Sequence, residues 1–339
     1  MLRVNQFSML MLISLFSMSY ANAMEDKAAT AEALYQQAVT PYEQGWRKGL
    51  DLMWQAANAG STKALCTIAS GYQGTSLIVN ADAQKYFKKA AELGGLCGML
   101  ALSNIGENVM FDSTLAEHQG NSGWSEKLIK KSKQLAKEGD IEGLKTYSFI
   151  LSLKKDDDDA CKWLEKAAQK GDAEAQFNLA NEIRSGCGWY LIPGSRDKAV
   201  HYWTEQAANH GNPRAMDQLA IYYQEAGDIK SMLHWYGMGA KIGNVNSILF
   251  YSGYLSSAPE LGVDVPLELQ DKVKSYGLLN AVVSQITEDD NVFSAYHQAI
   301  ERMRFLEKEL TAKELDEAKK WSNEWMKSHQ VRNYSLEFN

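Results

Sequence analysis

The stretch AAQKGDAEAQFNLA, residues 167–180, contains a turn signal that recurs along this chain. Ala168 stands three residues before Gly171, and the small residue Ala175 stands four residues after it. The same spacing of a small residue on each side of a glycine occurs six times, at intervals of 32 to 45 residues. The six glycines are Gly60, Gly94, Gly139, Gly171, Gly211 and Gly243. Self-similarity at this period predicts an array of stacked repeats rather than one closed core.

Each column around the glycine has a structural explanation. Glycine adopts the left-handed conformation that commonly ends a helix, and the residue after it is Asp, Asn or Ser in five of the six repeats. Those side chains accept hydrogen bonds from the free N–H groups of the next helix. The residue eight places before the glycine is Trp163, Trp203 or Trp235 in three repeats, and we expect these rings in the packing between helices. The pattern predicts an all-α chain of tight helix–turn–helix units.

These columns resemble the Sel1-like repeat family of the tetratricopeptide-like superfamily, whose motif is Ala-Ala-x-x-Gly followed by Asn or Asp. Residues 167–180 are close to its consensus, and residues 207–215, AANHGNPRA, match nearly as well. The resemblance implies a right-handed superhelical solenoid of stacked antiparallel helix pairs. It also implies an adaptor-type role in binding other proteins, and some exported members are immunity proteins that neutralise secreted antibacterial toxins.

The repeat array covers roughly residues 45–285, and other kinds of segment flank it. Residues 24–44 are rich in Ala and acidic residues and are expected to form a leading helix. Residues 286–328 are expected to form capping helices, because the end of a repeat stack must be covered. Thr311-Ala312-Lys313-Glu314 has the sequence of a capping box at a helix start. Residues 329–339 are expected to be a flexible tail.

Residues 1–23 have the features of a secretory signal peptide. Arg3 supplies the positive charge, residues 7–16 are uncharged and apolar, and Ala21-Asn22-Ala23 is a small-x-small cleavage site. The apolar stretch is too short to span a bilayer, so no membrane anchor is expected. We therefore predict a periplasmic protein from which the leader is cleaved after Ala23.

The charge balance limits the classes of partner. The chain has 35 basic and 42 acidic residues, a net charge of −7, and loss of Arg3 with the leader makes it one unit more negative. A nucleic-acid partner is excluded, because binding to phosphates requires concentrated Lys and Arg. An acidic protein moderately favours a basic partner.

The chain has four cysteines, Cys66, Cys97, Cys161 and Cys187. An even number in an exported protein indicates disulfides. In the helical register of the repeats, Cys66 and Cys97 lie on adjacent helices and face the same way. Cys161 starts a helix and Cys187 ends the antiparallel helix that follows. Both pairs are compatible with the Cα separation that a disulfide requires, so we predict Cys66–Cys97 and Cys161–Cys187.

The side chains that could bind a partner lie at two kinds of place. If the fifth, eighth and twelfth positions after each glycine are buried, the third, sixth, tenth and thirteenth lie on the exposed side. The candidates on this side are Phe149, Phe177, Asn181, Arg184, Arg214, Asp217 and Gln224. Mixed charges with isolated aromatic rings suit a protein interface, and an ordinary solvated face is the alternative.

Two repeats also contain insertions. The polar insertion at residues 104–123 is expected to lengthen a loop without forming a contact site. The insertion Ser185–Ser195 adds two further binding candidates, Trp189 and Tyr190. Insertions in repeat stacks are often contact sites, although longer loops are also tolerated at small free-energy cost.

Sequence motifs give little indication of an enzyme. The chain has no phosphate-binding loop, no Gly-x-Ser-x-Gly, no metal-binding His spacing and no Cys-x-x-Cys. Asp156–Asp159 lacks the alternating spacing and central glycine of a calcium loop, whereas acidic residues at a helix start are favoured by the helix dipole. We therefore predict no catalytic residues, no cofactor and no metal.

Together these features predict a non-enzymatic periplasmic scaffold that binds another protein, such as a secreted toxin or a component of an envelope complex. The alternative is an envelope enzyme or cell-wall binder, because cysteine-rich secreted members of the family are linked to β-lactam binding. Those members carry a disulfide in nearly every repeat, whereas this chain has four cysteines in six repeats.

Overall fold

The computed structural model describes residues 26, 29–73, 80–103, 123–286 and 293–336. The predicted signal peptide, the insertion at residues 104–123 except its last residue, and the last three residues of the predicted tail lie outside these ranges.

The regular elements of the described residues are helices, as the repeat pattern predicts. In chain order they are α1 (residues 29–44), α2 (Trp46–Ala59), α3 (Thr62–Gln73), α4 (Ala81–Glu92), α5 (Leu96–Ala101), α6 (Trp124–Glu138), α7 (Ile141–Leu153), α8 (Asp157–Gln169), α9 (Ala173–Ser185), α10 (Ser195–Asn209), α11 (Pro213–Glu225), α12 (Ile229–Lys241), α13 (Val245–Leu255), α14 (Lys272–Gln285), α15 (Phe293–Leu306) and α16 (Ala312–Met326). Two short 3-10 turns, Pro259–Leu261 and Leu267–Leu269, lie between α13 and α14.

The chain forms two compact units. The first contains the described residues up to Val39 and Gly49–Ser103. Within it, α4 packs against both α3 and α5. A disulfide joins Cys66 of α3 to Cys97 of α5, with 6.4 Å between the Cα atoms, and this is the predicted pair.

The second unit contains Thr40–Lys48 and the chain from Ser125 onwards. From α7 to α15 each helix packs against the next, and α14 also packs against α16. Three successive apolar clusters fill the stack, and they follow one another in chain order. This unit is therefore a solenoid of stacked helix pairs, as predicted.

The glycine turns have the predicted geometry. All six repeat glycines have positive φ, between 81° and 108°. At the central turn, the Gly171 N–H donates to the Ala168 carbonyl at 3.0 Å, and the Asp172 side chain accepts from the Ala175 N–H at 2.7 Å. In five of the six turns the side chain of the residue after the glycine accepts such a bond. The exception is the turn at Gly94, where that residue is Gly95 and has no side chain to accept it. One residue thus ends a helix and the next one starts another.

The tryptophan column is less buried than predicted. Trp235 is 7% exposed and lies in the core. Trp163 and Trp203 pack against the core cluster but are only partly buried. The Lys166 ammonium lies 3.7 Å from the centre of the Trp163 ring, and Trp203 lines an open cleft.

The end of the chain contains a capped helix, followed by a segment that contacts the last repeat turn. Helix α16 begins with the predicted capping box, in which the Thr311 and Glu314 side chains bond to each other's backbone N–H. Residues 330–336, part of the expected flexible tail, pair with the last repeat turn. The Arg332 N–H donates to Gly243 at 2.8 Å, and the Arg332 carbonyl accepts from Val245 at 2.9 Å.

Glu43 fixes this tail to the segment Thr40–Lys48. Its carboxylate is 1% exposed and accepts from the Arg332 guanidinium, with 2.8 Å to Nε and 2.7 Å to Nη2. It also accepts from the Leu336 N–H at 2.9 Å. We call this arrangement of Glu43, Arg332 and Leu336 the C-terminal clasp.

Candidate protein-binding surface

Polar side chains connect the helices that follow successive glycine turns, α7, α9, α11 and α13. The first connection joins α7 to the start of α9, where the Lys145 ammonium pairs with Glu174 and lies 3.5 Å from the Asp172 carboxylate. Burial of the ammonium opposes its charge, but the two carboxylates outweigh this effect and raise the pKa of Lys145. The cation is therefore firmly held between the two helices.

The second connection joins α9 to α11. The Arg214 guanidinium lies 5.4 Å from the centre of the Phe177 ring, a distance at which a cation–π attraction operates. The Arg184 guanidinium donates to the Asn181 side-chain oxygen at 3.0 Å. It also donates to the Gln218 side-chain oxygen at 2.7 Å when the Gln218 amide is oriented with its oxygen towards Arg184.

The third connection joins α11 to α13. The Ser247 hydroxyl donates to the Asp217 carboxylate at 2.6 Å, and the Tyr254 hydroxyl donates to the Gln224 side chain at 2.8 Å. Burial raises the pKa of Asp217 to about 6, although the bond from Ser247 acts in the opposite direction.

We call the surface formed by these connected side chains the ladder face. Six of the predicted binding residues lie on it, and their polar groups mostly bond to neighbouring repeats: Phe177, Asn181, Arg184, Arg214, Asp217 and Gln224. The seventh, Phe149, is 48% exposed on α7. Ile221 occupies the same repeat position on α11 and is also 48% exposed, but it is not among the predicted binding residues. Its position in the repeat was the signal that could have identified it.

The insertion between α9 and α10 forms a loop, residues 186–194, that is fixed at both ends. A disulfide joins Cys187 to Cys161 of α8, the predicted pair, with 6.3 Å between the Cα atoms. The Arg196 guanidinium donates to the backbone carbonyls of Ile183, Cys187 and Gly188. It also lies 4.9 Å from the centre of the Tyr190 ring, so Tyr190 is held against the base of the loop.

The tip of this loop is apolar and exposed. Trp189 is 89% exposed, Leu191 is 81% exposed and Ile192 is 73% exposed. Trp189 is one of the predicted binding residues, whereas Leu191 and Ile192 are not, because a short apolar run in a chain does not by itself indicate exposure. These three residues are called the loop tip below.

A cleft of about 340 Å³ lies beside the loop. Its lining residues come from α8, α9, the loop and α10, and they are Asp158, Cys161, Lys162, Glu165, Leu179, Ile183, Cys187, Gly188, Trp189, Tyr190 and Trp203.

Three features of the described residues bear on an enzyme or a metal site. Among them, no group of three His, Cys, Asp or Glu side chains could hold a metal ion. The Asp cluster lies in the first turn of α8, where the helix dipole favours acidic residues. The Ser-x-x-Lys spacing of serine β-lactam enzymes occurs at Ser152 and at Ser195. The Ser195 hydroxyl donates to the Ile192 carbonyl, a structural role at a helix start.

None of the described helices is both long enough and apolar enough to cross a membrane.

The repeats also match a known family. The model of the Sel1 repeat matches residues 74–95, 150–172 and 173–212. These three segments are Sel1 repeats. The turns at Gly60, Gly139 and Gly243 lie outside the matched segments, yet they have the same positive φ as the matched turns. Sel1-repeat proteins are generally non-catalytic scaffolds that bind other proteins. The two disulfides favour an oxidising compartment outside the cytoplasm.

Several solved structures are similar to this Sel1-repeat chain. A protective antigen present in uropathogenic Escherichia coli strains, which displays an SLR fold, is 17% identical with a TM-score of 0.43, and the match covers 83% of this chain and 64% of that protein. A Sel1 repeat protein from Oxalobacter formigenes is 20% identical with a TM-score of 0.39, covering 76% and 96% of the two chains. An immunity protein from Pseudomonas aeruginosa is 18% identical with a TM-score of 0.39, covering 75% and 82%. No curated protein matches the sequence significantly.

Proposed function

We propose that this protein is a non-enzymatic scaffold that binds another protein through the loop tip and the ladder face. The observation that carries the proposal is the exposure of Trp189, Leu191 and Ile192 at 89%, 81% and 73%. Adjacent apolar side chains exposed to this extent are typical of interaction sites, because burying them in a partner removes them from water.

The fixed base of the loop supports the same proposal. The disulfide to Cys161 and the hydrogen bonds from Arg196 hold the loop in one arrangement. A preorganised loop loses less conformational freedom on binding, so more of the contact energy remains as affinity. The ladder face would extend the contact, together with the exposed side chains of Phe149 on α7 and Ile221 on α11.

Two exposed leucines provide a matched test. Leu191 of the loop tip and Leu267, between α13 and α14, are both 81% exposed. Immobilised wild-type protein and the Leu191→Ala, Trp189→Ala and Leu267→Ala variants would be incubated with periplasmic extract, and the captured proteins quantified by mass spectrometry.

We expect Trp189→Ala to weaken capture of the specific partner about tenfold or more, because central aromatic residues often dominate interfaces. Leu191→Ala is expected to weaken it as well, whereas Leu267→Ala should retain it. Equal capture by all four proteins, or equal loss in Leu191→Ala and Leu267→Ala, would contradict the proposed binding site.

We further propose that the partner is a secreted antibacterial toxin and that this protein acts as the immunity protein that neutralises it. The acidic net charge of −7 and the two disulfides are compatible with a basic partner met outside the cytoplasm. A toxin gene next to the gene for this protein would give the partner to test. The wild-type protein should then protect cells that express that toxin in the periplasm, and Trp189→Ala should not.

We also propose that the protein acts in the periplasm after cleavage behind Ala23. Sequencing the N-terminus of the protein recovered from a periplasmic fraction should give Met24 as the first residue. Recovery in the cytoplasmic fraction with Met1 retained would contradict this location.

A further inference from the structure

We propose that the cleft beside the loop receives an arginine side chain of the partner protein. This inference rests on the proposed function, because it specifies the chemistry that the same loop recognises. The cleft has about 340 Å³, at the small end of the range for ligand pockets. Its size therefore suits one long side chain better than a larger ligand.

The walls of the cleft are aromatic and apolar. Trp203 is partly buried at one wall, and Trp189 stands exposed at the mouth. Leu179 and Ile183, each no more than 3% exposed, form the apolar interior together with the disulfide. Tryptophan is the best aromatic partner for a cation. The methylene groups of a long basic side chain can lie along such an interior while the charged group stays near the mouth.

The rim of the cleft supplies carboxylates. Asp158 and Glu165 of α8 both line it and are exposed. The basic residue at the rim, Lys162, is paired with Asp159, with 2.7 Å between Nζ and Oδ1. The next lysine along the helix, Lys166, lies over Trp163, which is not part of the cleft lining. Arg196, which is not part of the lining, is engaged with Cys187, Gly188 and Tyr190 at the base of the loop. The lining side chains Asp158, Glu165 and Lys162 together carry one net negative charge, which complements a cation.

The arrangement favours arginine over the other side chains that could enter. An aliphatic side chain would fill the interior but would gain no electrostatic attraction from the rim carboxylates. Lysine would supply a compact and strongly hydrated charge. Arginine has a planar guanidinium that stacks on aromatic rings and also bonds to carboxylates. The stacking part of this arrangement already occurs at the base of the loop, where the guanidinium of Arg196 of α10 lies 4.9 Å from the centre of the Tyr190 ring.

The test uses a short peptide in place of the partner. The full mature chain, labelled with nitrogen-15 on tryptophan, would be titrated with the tripeptide acetyl-Gly-Arg-Gly-amide. The indole N–H signals of Trp189 and Trp203 would be assigned with Trp189→Phe and Trp203→Phe variants. Peptides with citrulline or leucine in place of arginine provide the neutral controls.

We expect the arginine peptide to shift the signals of Trp189 and Trp203 among the nine tryptophans of the chain, with weak but saturable binding. The citrulline and leucine peptides should leave both signals unshifted at the same concentration. Asp158→Asn/Glu165→Gln should weaken binding at least about threefold, the size expected for the loss of two exposed charges. The matched control Asp157→Asn/Glu182→Gln removes two exposed carboxylates that do not line the cleft, and it should bind as the wild type does.

Equal binding of the citrulline peptide, or equal weakening by the two double variants, would overturn the inference. Failure of the inference can be told apart from failure of the proposed function. If Leu191→Ala abolishes partner capture while Asp158→Asn/Glu165→Gln still binds the peptide normally, only the arginine assignment is wrong. If the wild-type and Leu191→Ala proteins capture partners equally while the arginine peptide binds as expected, only the proposed function is wrong.

Discussion

Asp217 is the residue of the ladder face whose charge is least favourable in the folded protein. Burial raises its pKa from 3.8 to about 6, and the hydrogen bond from Ser247 offsets only part of the effect. The folded state therefore binds a proton more tightly than the unfolded state. Since the folded pKa is the higher one, the contribution of Asp217 to stability is most favourable below about pH 4 and becomes unfavourable as pH rises to about 6.

Asp217→Asn should remove this dependence on pH. Above pH 6 the carboxylate costs roughly 3 kcal/mol, from a pKa difference of about two units at about 1.4 kcal/mol each. The variant should therefore be more stable than wild type at pH 8 by up to about that amount, because an amide oxygen can still accept the bond from Ser247. Urea unfolding at pH 4.5 and pH 8 would measure the effect. A variant no more stable than wild type at pH 8 would show that the carboxylate is not destabilising.

At the scale of the elements, the turn between two helices is the unit that the sequence repeats. A side chain at a glycine turn can be unfavourable for two reasons, the left-handed backbone and the lack of space. Two of the turns allow these two effects to be measured separately. Gly211 has φ 92°, and a side-chain carbon there would meet no atom within 4 Å. Gly243 has φ 88°, but a side-chain carbon there would overlap the backbone carbonyl oxygen of Gln330.

Gly211→Ala should lower the free energy of unfolding by about 1–2 kcal/mol, the cost of a left-handed alanine. Gly243→Ala has the same backbone penalty and must also displace residue 330, which adds about 1–3 kcal/mol of overpacking. Chemical denaturation of the two variants beside wild type would compare them directly. Equal losses would mean that the tail moves away from the turn without cost.

At the scale of the second unit as a whole, the C-terminal clasp connects segments that are far apart in sequence. The Glu43 side chain is fully buried and that of Arg332 is 16% exposed. The charge of each group is therefore compensated by the opposite charge of the other. The Gln285 side chain adds to this contact, because its oxygen accepts from the Val331 N–H at 2.9 Å and from the Gln44 amide at 3.1 Å.

Glu43→Ala should lower the free energy of unfolding by about 3–5 kcal/mol, since removing one partner of a buried pair leaves an uncompensated charge. Asp316→Ala provides the control, because its ion pair with Lys320 is exposed and its loss should change the stability little. Thermal unfolding of both variants would test the difference. Similar melting temperatures for the two variants would show that the clasp is not a stabilising contact.

The parts of the structure that depend on local sequence could be predicted, and the parts that depend on distant contacts could not. Gly171 and Asp172 specify a turn within a few residues, so their roles follow from the sequence. The cysteine pairs follow because the repeat register fixes which helices are adjacent. By contrast, the burial of Asp217 depends on α12 and α13, and the order of the tail depends on Glu43. The exposure of Leu191 depends on how Arg196 and the disulfide orient the loop, which no local pattern encodes.

The tail that pairs with Gly243 and Val245 also constrains how this protein could change in evolution. Repeat arrays grow and shrink when a unit is duplicated or lost, and a unit bounded by two ordinary glycine turns can be copied without disturbing its neighbours. In this protein the clasp joins Glu43, which precedes the repeats of the second unit, to Arg332, which follows them and pairs with the turn at Gly243. A copy inserted between Ser125 and Gly243 would move this turn away from Glu43. A change in the number of these repeats is therefore expected to be selected against.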